Sequence, residues 1–179
     1  MNCPTILTEN LCLRPFTQSD ANTMHKILNG KDVLKYFPGT QTPTLEKVER
    51  MIGRLLTHWQ EKGYGLWAVE LRSTGKLLGR CGLQYIPETD EVEIDFILDR
   101  HYWGRGFATE AGQAALQYGF NDLGLSMIVG IVHPENRASQ RVLEKVGLQF
   151  IEETEYFDMT CYRFSVPSPT PVRRFRKIK

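Results

Sequence analysis

The sequence of 179 residues lacks the features that define several classes of protein. No stretch approaches the roughly 18 consecutive apolar residues that a membrane span needs. The first ten residues, MNCPTILTEN, do not combine a basic segment with an apolar run, so we expect no signal peptide. The four cysteines are scattered without a CxxC pair, and the four histidines show no HxxxH spacing. We therefore expect no metal site, buried thiols rather than nucleophilic ones, and a cytoplasmic location.

Charge is nearly balanced over the whole chain but uneven along it. The formal net charge is +1, yet five of the 22 basic residues lie in the last seven positions, residues 173–179. Pro167, Pro169 and Pro171 precede this basic segment, which predicts a body over residues 1–166 and a tail over residues 167–179. We interpret the tail as a solvated terminus, and nucleic acid is not an expected partner. The alternative is an arm that docks on RNA or an acidic partner, whose binding would vanish on deleting residues 172–179.

Hydrophobic periodicity predicts a mixed α+β fold, because strands and helices do not alternate as they do in a doubly wound protein. Thr44 and Gly63 bracket the strongest helix, whose apolar residues fall on one face. Residues 91–99 alternate acidic and apolar side chains, which predicts a half-exposed antiparallel strand. The strands are expected near residues 6–14, 65–71, 76–86, 91–99, 126–132, 148–157 and 160–166, and the helices near residues 17–29, 44–63, 107–120 and 136–146.

The segment YWGRGFATEAGQAAL, residues 102–116, carries the clearest functional signal. Gly104 and Gly106 permit a left-handed turn or a close approach to a ligand. The helix that follows begins with unpaired backbone N–H groups at the positive end of its dipole, which suits a phosphate or diphosphate group. Thr109 stands where a dinucleotide GxGxxG pattern needs its third glycine, and no GxxxxGK[ST] loop is present. The remaining candidate is the coenzyme A loop of acetyltransferases.

Residues 103–108 resemble motif A of the GCN5-related N-acetyltransferase (GNAT) superfamily, with Trp103 where many members carry Gln or Arg. The segments LCLRPF (11–16), EIDFILD (93–99) and HPENRASQRVLEKVGL (133–148) also resemble the subgroup related to ribosomal-protein-alanine N-acetyltransferases. The resemblance covers roughly residues 5–166. It implies an α+β (mixed α/β) fold with a splayed central sheet of about seven strands, flanked by about four helices.

The resemblance also implies acetyl-CoA as co-substrate. Its pantetheine arm would pair with a strand edge exposed where two parallel strands part. Asn136 would cap a helix and also contact the cofactor. The cofactor-binding residues implied are Phe96, Ile97 and Leu98 on the strand edge, Trp103, Gly104, Arg105, Gly106, Phe107, Ala108 and Thr109 around the diphosphate, and Asn136.

The reaction implied is direct transfer of an acetyl group from CoA to a primary amine. Glu93 is the candidate base, and Ser139 the candidate hydrogen-bond donor to the departing sulfur. One alternative is that Glu93 forms a solvated strand face with Glu91 and Asp95, and another is that these acids only attract a cationic amine. The alternative for Ser139 is an ordinary serine on the helix surface. Leu143 stands where many family members carry a tyrosine, so a different acid is needed. Tyr85, Tyr156 and Tyr162 are the alternatives for it.

The acceptor is less determined than the donor. The resemblance to the ribosomal-protein-alanine N-acetyltransferase subgroup favours a protein N-terminal α-amine as acceptor. A small-molecule amine is the alternative. Residues 30–45 and 153–160 are expected to form the walls around it. A non-catalytic CoA-binding or sensing domain is the alternative from another functional class. No membrane partner is expected, and the chain is expected to be a monomer or a homodimer.

Overall fold

Eight strands and four α-helices make up the chain over residues 3–39, 41–156 and 158–169, which a computed structural model describes. The basic segment predicted at the C-terminus, residues 173–179, lies outside the described residues. The strands are β1 (Ile6–Leu7), β2 (Leu11–Arg14), β3 (Leu66–Leu71), β4 (Lys76–Ile86), β5 (Glu91–Leu98), β6 (Met127–Val132), β7 (Gln149–Tyr156) and β8 (Met159–Pro167). The helices are α1 (Ala21–Leu28), α2 (Leu45–Lys62), α3 (Phe107–Gln117) and α4 (Arg137–Lys145).

All eight strands form one sheet in the order β1-β2-β3-β4-β5-β6-β8-β7. Every neighbouring pair is antiparallel except β5 and β6, which are parallel. The connection from β5 to β6 passes through α3, as a parallel pair requires a crossover. The mixed α+β fold with a central sheet and four helices is therefore confirmed.

Helices cover both faces of the sheet. On one face, α1 and α2 pack Met24, Ile27 and Ile52 against Ala68 and Ile97 of the sheet. On the other face, α3 and α4 supply buried side chains to a larger core that runs from β2 to β8. That core includes Leu13, Trp67, Leu83, Ile94, Ala111, Ala115, Ile128, Leu143, Leu148 and Phe164.

The helix ends follow the sequence signals closely. The Thr44 hydroxyl accepts from the N–H of Lys47 at the start of α2, and Gly63 ends that helix with φ of 76°. A left-handed residue at this position favours glycine, since it has no Cβ to clash. Asn136 caps α4 by accepting from the N–H of Ser139 at 3.1 Å. The helix boundaries predicted for α2 and α4 are thus confirmed.

The first predicted strand is divided in the structure. Residues 6–14 form two short antiparallel strands, β1 and β2, joined by a turn in which the Thr8 N–H donates to Leu11 O. This turn, rather than any additional segment, raises the strand count from about seven to eight. The alternation of apolar residues continues through the turn, so periodicity alone does not reveal it.

Strand β5 differs from the half-exposed strand that alternation predicted. Its apolar side faces the α3 core, and its acidic side is also covered, since Glu93 is only 6% exposed. Alternation along the sequence indicates only that the two faces differ chemically. Here the acidic face is covered by arginine side chains of two other strands and by the segment that follows α1. No helix in the described part of the chain is long and apolar enough to cross a membrane.

Candidate active site

The parallel strands β5 and β6 are paired at one end and separate toward the other. Among the described residues, their ladder contains a single registered pair, Glu93 opposite Val129. By contrast, β5 pairs with β4 over eight consecutive residues. Beyond Glu93, the edge of β5 that faces β6 therefore has no strand partner in the described structure. The splayed sheet implied by the family resemblance is present.

A cleft of about 270 Å³ opens at this divergence. It is bounded by β4 and β5 on one side, by β6 and α4 on the other, and by the segment that follows α1. Its lining residues are Tyr36, Phe37, Pro38, Arg80, Gln84, Glu93, Ile94, Asp95, Phe96, Ile131, Val132, His133, Asn136, Ser139, Leu143, Met159 and Cys161. Four of the residues singled out from sequence, Glu93, Phe96, Asn136 and Ser139, are brought together here.

Glu93 is a buried carboxyl group on the wall of this cleft. Gln84, directly opposite on β4, donates its amide N–H to Glu93 Oε1. Burial raises the pKa of Glu93 to about 8, and the nearby Asp95 carboxylate acts in the same direction. A carboxyl with this pKa exchanges a proton readily near neutral pH, as a general base does.

The two acids on either side of Glu93 along β5 are paired with arginines. Arg80 on β4 contacts Asp95 with 2.9 Å between Nη2 and Oδ2. Glu91 accepts from the guanidinium of Arg163 on β8 and from the Tyr156 hydroxyl at 2.9 Å. Glu93 forms no ion pair in the described part of the chain. The acidic face of β5 is therefore nearly neutral apart from Glu93.

The glycine-bearing loop before α3 has the geometry expected of an anion site. Gly104 and Gly106 have φ of 74° and 84°, and a Cβ built on either meets nothing within 4 Å. Gly106 caps α3, and the first bond inside the helix runs from Glu110 N–H to Gly106 O. The N–H groups of residues 106–109 precede that bond, and none has an acceptor in the described structure. Open space beside four free donors leaves room for a phosphate group.

Four contacts fix this loop and the first turn of α3. The Trp103 indole donates to Leu98 O at 2.8 Å, which fastens the loop to the end of β5. The Arg105 guanidinium lies 5.2 Å from the centre of the Tyr102 ring. Glu110 accepts from the Thr8 hydroxyl at 2.6 Å and from the backbone N–H of Asn10 at 2.7 Å. The first turn of α3 is thus tied to the β1–β2 turn.

The backbone direction along β5 decides which of its groups face the divergence. Asp99 N–H donates to Leu78 O of the β4 side at 2.7 Å. Because partner directions alternate along an antiparallel strand, the backbone groups of Ile97 also face β4, and those of Phe96 and Leu98 face β6. Phe96 and Leu98 therefore present the edge expected from sequence, whereas the side chain of Ile97 packs against α1 and α2.

The structure distinguishes between the candidates for the group that donates a hydrogen bond or proton to the departing sulfur. Ser139 is half-buried on the cleft wall, and Leu143 is buried in the core with 2% exposure. Tyr85 donates to Asp90, Tyr156 donates to Glu91, and the ring of Tyr162 packs on Phe150. None of these three tyrosines is among the described residues that line the cleft.

Tyr36 and His133 are among the cleft residues that sequence reasoning did not single out. Their rings stack with centroids 5.2 Å apart. Tyr36 belongs to the segment 30–45 that was expected near the acceptor, but nothing in that segment's pattern distinguished it. Met159, from the other expected wall at residues 153–160, also lines the cleft.

Two of the four cysteines are buried, as expected from sequence, and Cys3 and Cys12 are only partly buried. All four thiols are free, with Cys81 and Cys161 buried. Burial raises the pKa of Cys3 to about 12 and raises that of Cys161, so these thiols are held in the unreactive protonated form. Over the described residues no group of three His, Cys, Asp or Glu side chains is placed to hold a metal ion.

Comparison with known proteins agrees with this geometry. The sequence model of the family described as "Acetyltransferase (GNAT) domain" matches residues 10–149. The uncharacterized N-acetyltransferase YoaA of Bacillus subtilis (strain 168) is 32% identical over 147 residues, covering 82% of this chain and 83% of YoaA.

Two solved structures share the fold. The GNAT-family acetyltransferase from Bacillus anthracis is 26% identical, with a TM-score of 0.78 over 92% of this chain and 99% of that chain. The ribosomal L7/L12 α-N-protein acetyltransferase RimL, solved in complex with coenzyme A, is 15% identical, with a TM-score of 0.78 over 92% of this chain and 98% of that chain. The family match over most of the chain, joined to the parted strands and the open glycine loop, shows that this protein belongs to the GNAT acetyltransferase family.

Proposed function

We propose that this GNAT acetyltransferase transfers the acetyl group of acetyl-CoA directly to a primary amine, and that its preferred acceptor is a peptide N-terminal α-amine. One observation carries the proposal. A buried carboxyl, Glu93, lines the cleft where β5 and β6 part and forms no ion pair in the described structure.

The donor side follows from the loop and the strand edge. The free amides of residues 106–109, with Gly104, Arg105 and Trp103 around them, are proposed to bind the diphosphate. The backbone groups of Phe96 and the N–H of Leu98 face the amides of the pantetheine arm, as an added strand would use them, whereas Leu98 O already accepts from the Trp103 indole. Asn136 lines the cleft at the start of α4, within reach of a cofactor lying between the strands. RimL, which has the same fold, was solved with coenzyme A, and this supports CoA as the ligand.

Glu93 is proposed to take the proton that the amine loses. The amine nitrogen forms a bond to the acetyl carbon, the bond from that carbon to the sulfur breaks, and the released proton moves to Glu93 directly or through a water. Its pKa of about 8 lies beside the pKa of roughly 7.7–8.0 of a peptide α-amine. A lysine amine, near 10.4, is a poorer match.

The charges of the cleft also favour an acceptor with one amine. Of the described carboxylates beside Glu93 on β5, Asp95 is paired with Arg80 and Glu91 with Arg163, so neither brings an uncompensated negative charge for a second ammonium group. A polyamine would bring further positive charges into a nearly neutral cleft. A single α-amine needs only Glu93.

Ser139 is proposed to hydrogen-bond the departing sulfur. Its side chain is on the cleft wall one turn into α4, and its N–H is fixed by the Asn136 cap. A serine hydroxyl donates a hydrogen bond without becoming charged, and the proton that neutralises the thiolate then comes from solvent. Leu143, which has no exchangeable proton, plays no chemical part.

Acetyl transfer to defined amines tests the proposal. The purified protein is incubated with acetyl-CoA and a peptide library varied at its first residue, with N-acetylated peptides and spermidine as controls, and the free CoA thiol is followed. Turnover of free N-terminal peptides, lost on N-acetylation, is the expected result. Turnover of spermidine alone would contradict the α-amine acceptor, and no turnover of any amine would contradict catalysis. Glu93→Gln is expected to lower kcat by about 10²–10⁴-fold while acetyl-CoA binding persists.

A further inference from the structure

The mouth of the cleft carries an apolar side chain that the reaction itself does not require. Phe37 lines the same cleft as Glu93 and is 37% exposed. Met159, at the start of β8, lines the same cleft from another element and is half-buried. An exposed apolar surface that borders a reactive group is suited to cover part of a ligand.

The segment that bears Phe37 is anchored on both sides of the cleft. The Tyr36 ring stacks on His133 at 5.2 Å, and the Lys35 ammonium lies 4.8 Å from the centre of the same ring. His133 is itself oriented by the Glu135 N–H, which donates to its Nδ1 at 3.1 Å.

At the other end of the segment, Asp32 forms an ion pair with Arg100, next to the loop that precedes α3. Contacts to both β6–α4 and β5–α3 hold the segment before any acceptor arrives. The segment that carries Phe37 is therefore already ordered, and binding of an acceptor costs it little conformational entropy.

We infer that Phe37 and Met159 form an apolar subsite for the side chain next to the acceptor amine, so that the enzyme selects α-amines carrying a large apolar side chain. This inference rests on the proposed function. The volume of the cleft, about 270 Å³, lies just below the usual range of roughly 300–1,000 Å³ for ligand sites, so the group beside the amine has to contact its walls. In the described walls Asp95 and Arg80 compensate each other's charge, so neither presents a net charge to a charged side chain.

Two amino-acid amides isolate the effect, because leucinamide and glycinamide share the α-amine and differ only in the side chain. The wild type is expected to acetylate leucinamide with kcat/KM at least tenfold above that of glycinamide. In Phe37→Ala, kcat/KM for leucinamide should fall about 10- to 20-fold, as expected from losing roughly 70 Å² of covered apolar surface. Glycinamide should change by less than about twofold.

Phe150→Ala is the matched control, since Phe150 is a similarly exposed phenylalanine, at 52%, on β7 outside the cleft. It should leave both substrates unaffected. Met159→Ala is a second variant at the subsite and should repeat the selective loss. Equal loss for both amides in Phe37→Ala, or equal kcat/KM for both amides in the wild type, would overturn the inference.

Two further arms separate this inference from the proposed function. Phenethylamine keeps an apolar group but is not an α-amine of an amino acid. Its turnover without that of leucinamide would refute the α-amine acceptor and keep the subsite, whereas turnover of spermidine alone would refute both. Calorimetric binding of the two amides to the enzyme–CoA complex gives a readout independent of turnover. There, leucinamide should bind about tenfold more tightly than glycinamide, and Phe37→Ala should remove the difference; equal affinity in the wild type would refute the subsite.

Discussion

Replacing Glu93 by glutamine tests the state of the buried carboxyl without any substrate. Glutamine keeps the shape of the side chain and cannot ionise. The unfolded chain releases the Glu93 proton near its ordinary pKa of 4.5, and the folded protein holds it up to about pH 8. Between these values the native state binds one more proton than the unfolded state, so the stability that this group contributes is lost as pH rises.

The size of the effect follows from the two pKa values. One pKa unit corresponds to about 1.4 kcal/mol, and the difference in bound protons is close to one over most of the range from pH 5.5 to 7.5. The wild type should therefore lose about 2.5 kcal/mol relative to Glu93→Gln over those two pH units. All other titrating groups are shared by the two proteins and cancel in the comparison.

Urea unfolding of both proteins at pH 5.5, 6.5 and 7.5 measures this difference. The stability of Glu93→Gln minus that of the wild type should increase steadily with pH. In parallel, kcat/KM of the wild type should rise with two ionisations near pH 8, those of Glu93 and of the α-amine, and only the ionisation of the amine should remain in the variant. A stability difference that stays constant from pH 5.5 to 7.5 would refute a buried carboxyl with a raised pKa.

Two further predictions concern helix α4. Leu143→Ala should destabilise the protein by about 2–5 kcal/mol in urea unfolding, since Leu143 is 2% exposed and packs on Gly130; a loss below 1 kcal/mol would contradict its place in the core. Asn136→Ala should cost about 1 kcal/mol through the lost helix cap, whereas Asn136→Ser should keep most of that stability. Both Asn136 variants should bind acetyl-CoA more weakly by calorimetry if the amide contacts the cofactor, and equal stability of the two variants would contradict the capping role.

The parts of the fold that sequence predicts well are those with local signals. Helix α2 is bounded by a capping threonine and a terminal glycine, and its apolar stripe has a clear helical period, so both of its ends are predicted correctly. The glycine loop before α3 is predicted for a similar reason, because Gly104 and Gly106 are needed for left-handed backbone. Such signals depend on a few neighbouring residues, so they can be recognised without the tertiary structure.

The parts that sequence predicts poorly depend on distant partners. The sequence of β5 predicts a solvated acidic face. In the structure Arg80 and Arg163, from two other strands, form ion pairs with the acids of this face and cover it. Tyr36 lies in a segment without periodicity, and only the stack on His133, almost a hundred residues away, places it at the cleft. Tyr156 is one of three tyrosines that the sequence offers as an acid in place of Leu143, whereas its hydroxyl is engaged with Glu91.

Binding of acetyl-CoA to a glycine variant tests the central claim, that the free amides at the start of α3 hold the diphosphate. Gly106 and Gly124 both have positive φ, 84° and 66°, with nothing within 4 Å of a built Cβ, but Gly124 lies outside the site. Valine at either position carries a comparable backbone strain, so the two variants should lose similar stability.

Thermal unfolding of the wild type, Gly106→Val and Gly124→Val is measured with and without acetyl-CoA at about 100 times the wild-type Kd. Ligand should stabilise the wild type and Gly124→Val by about 2.7 kcal/mol and leave Gly106→Val almost unchanged. A full ligand-induced shift in Gly106→Val would contradict the claim.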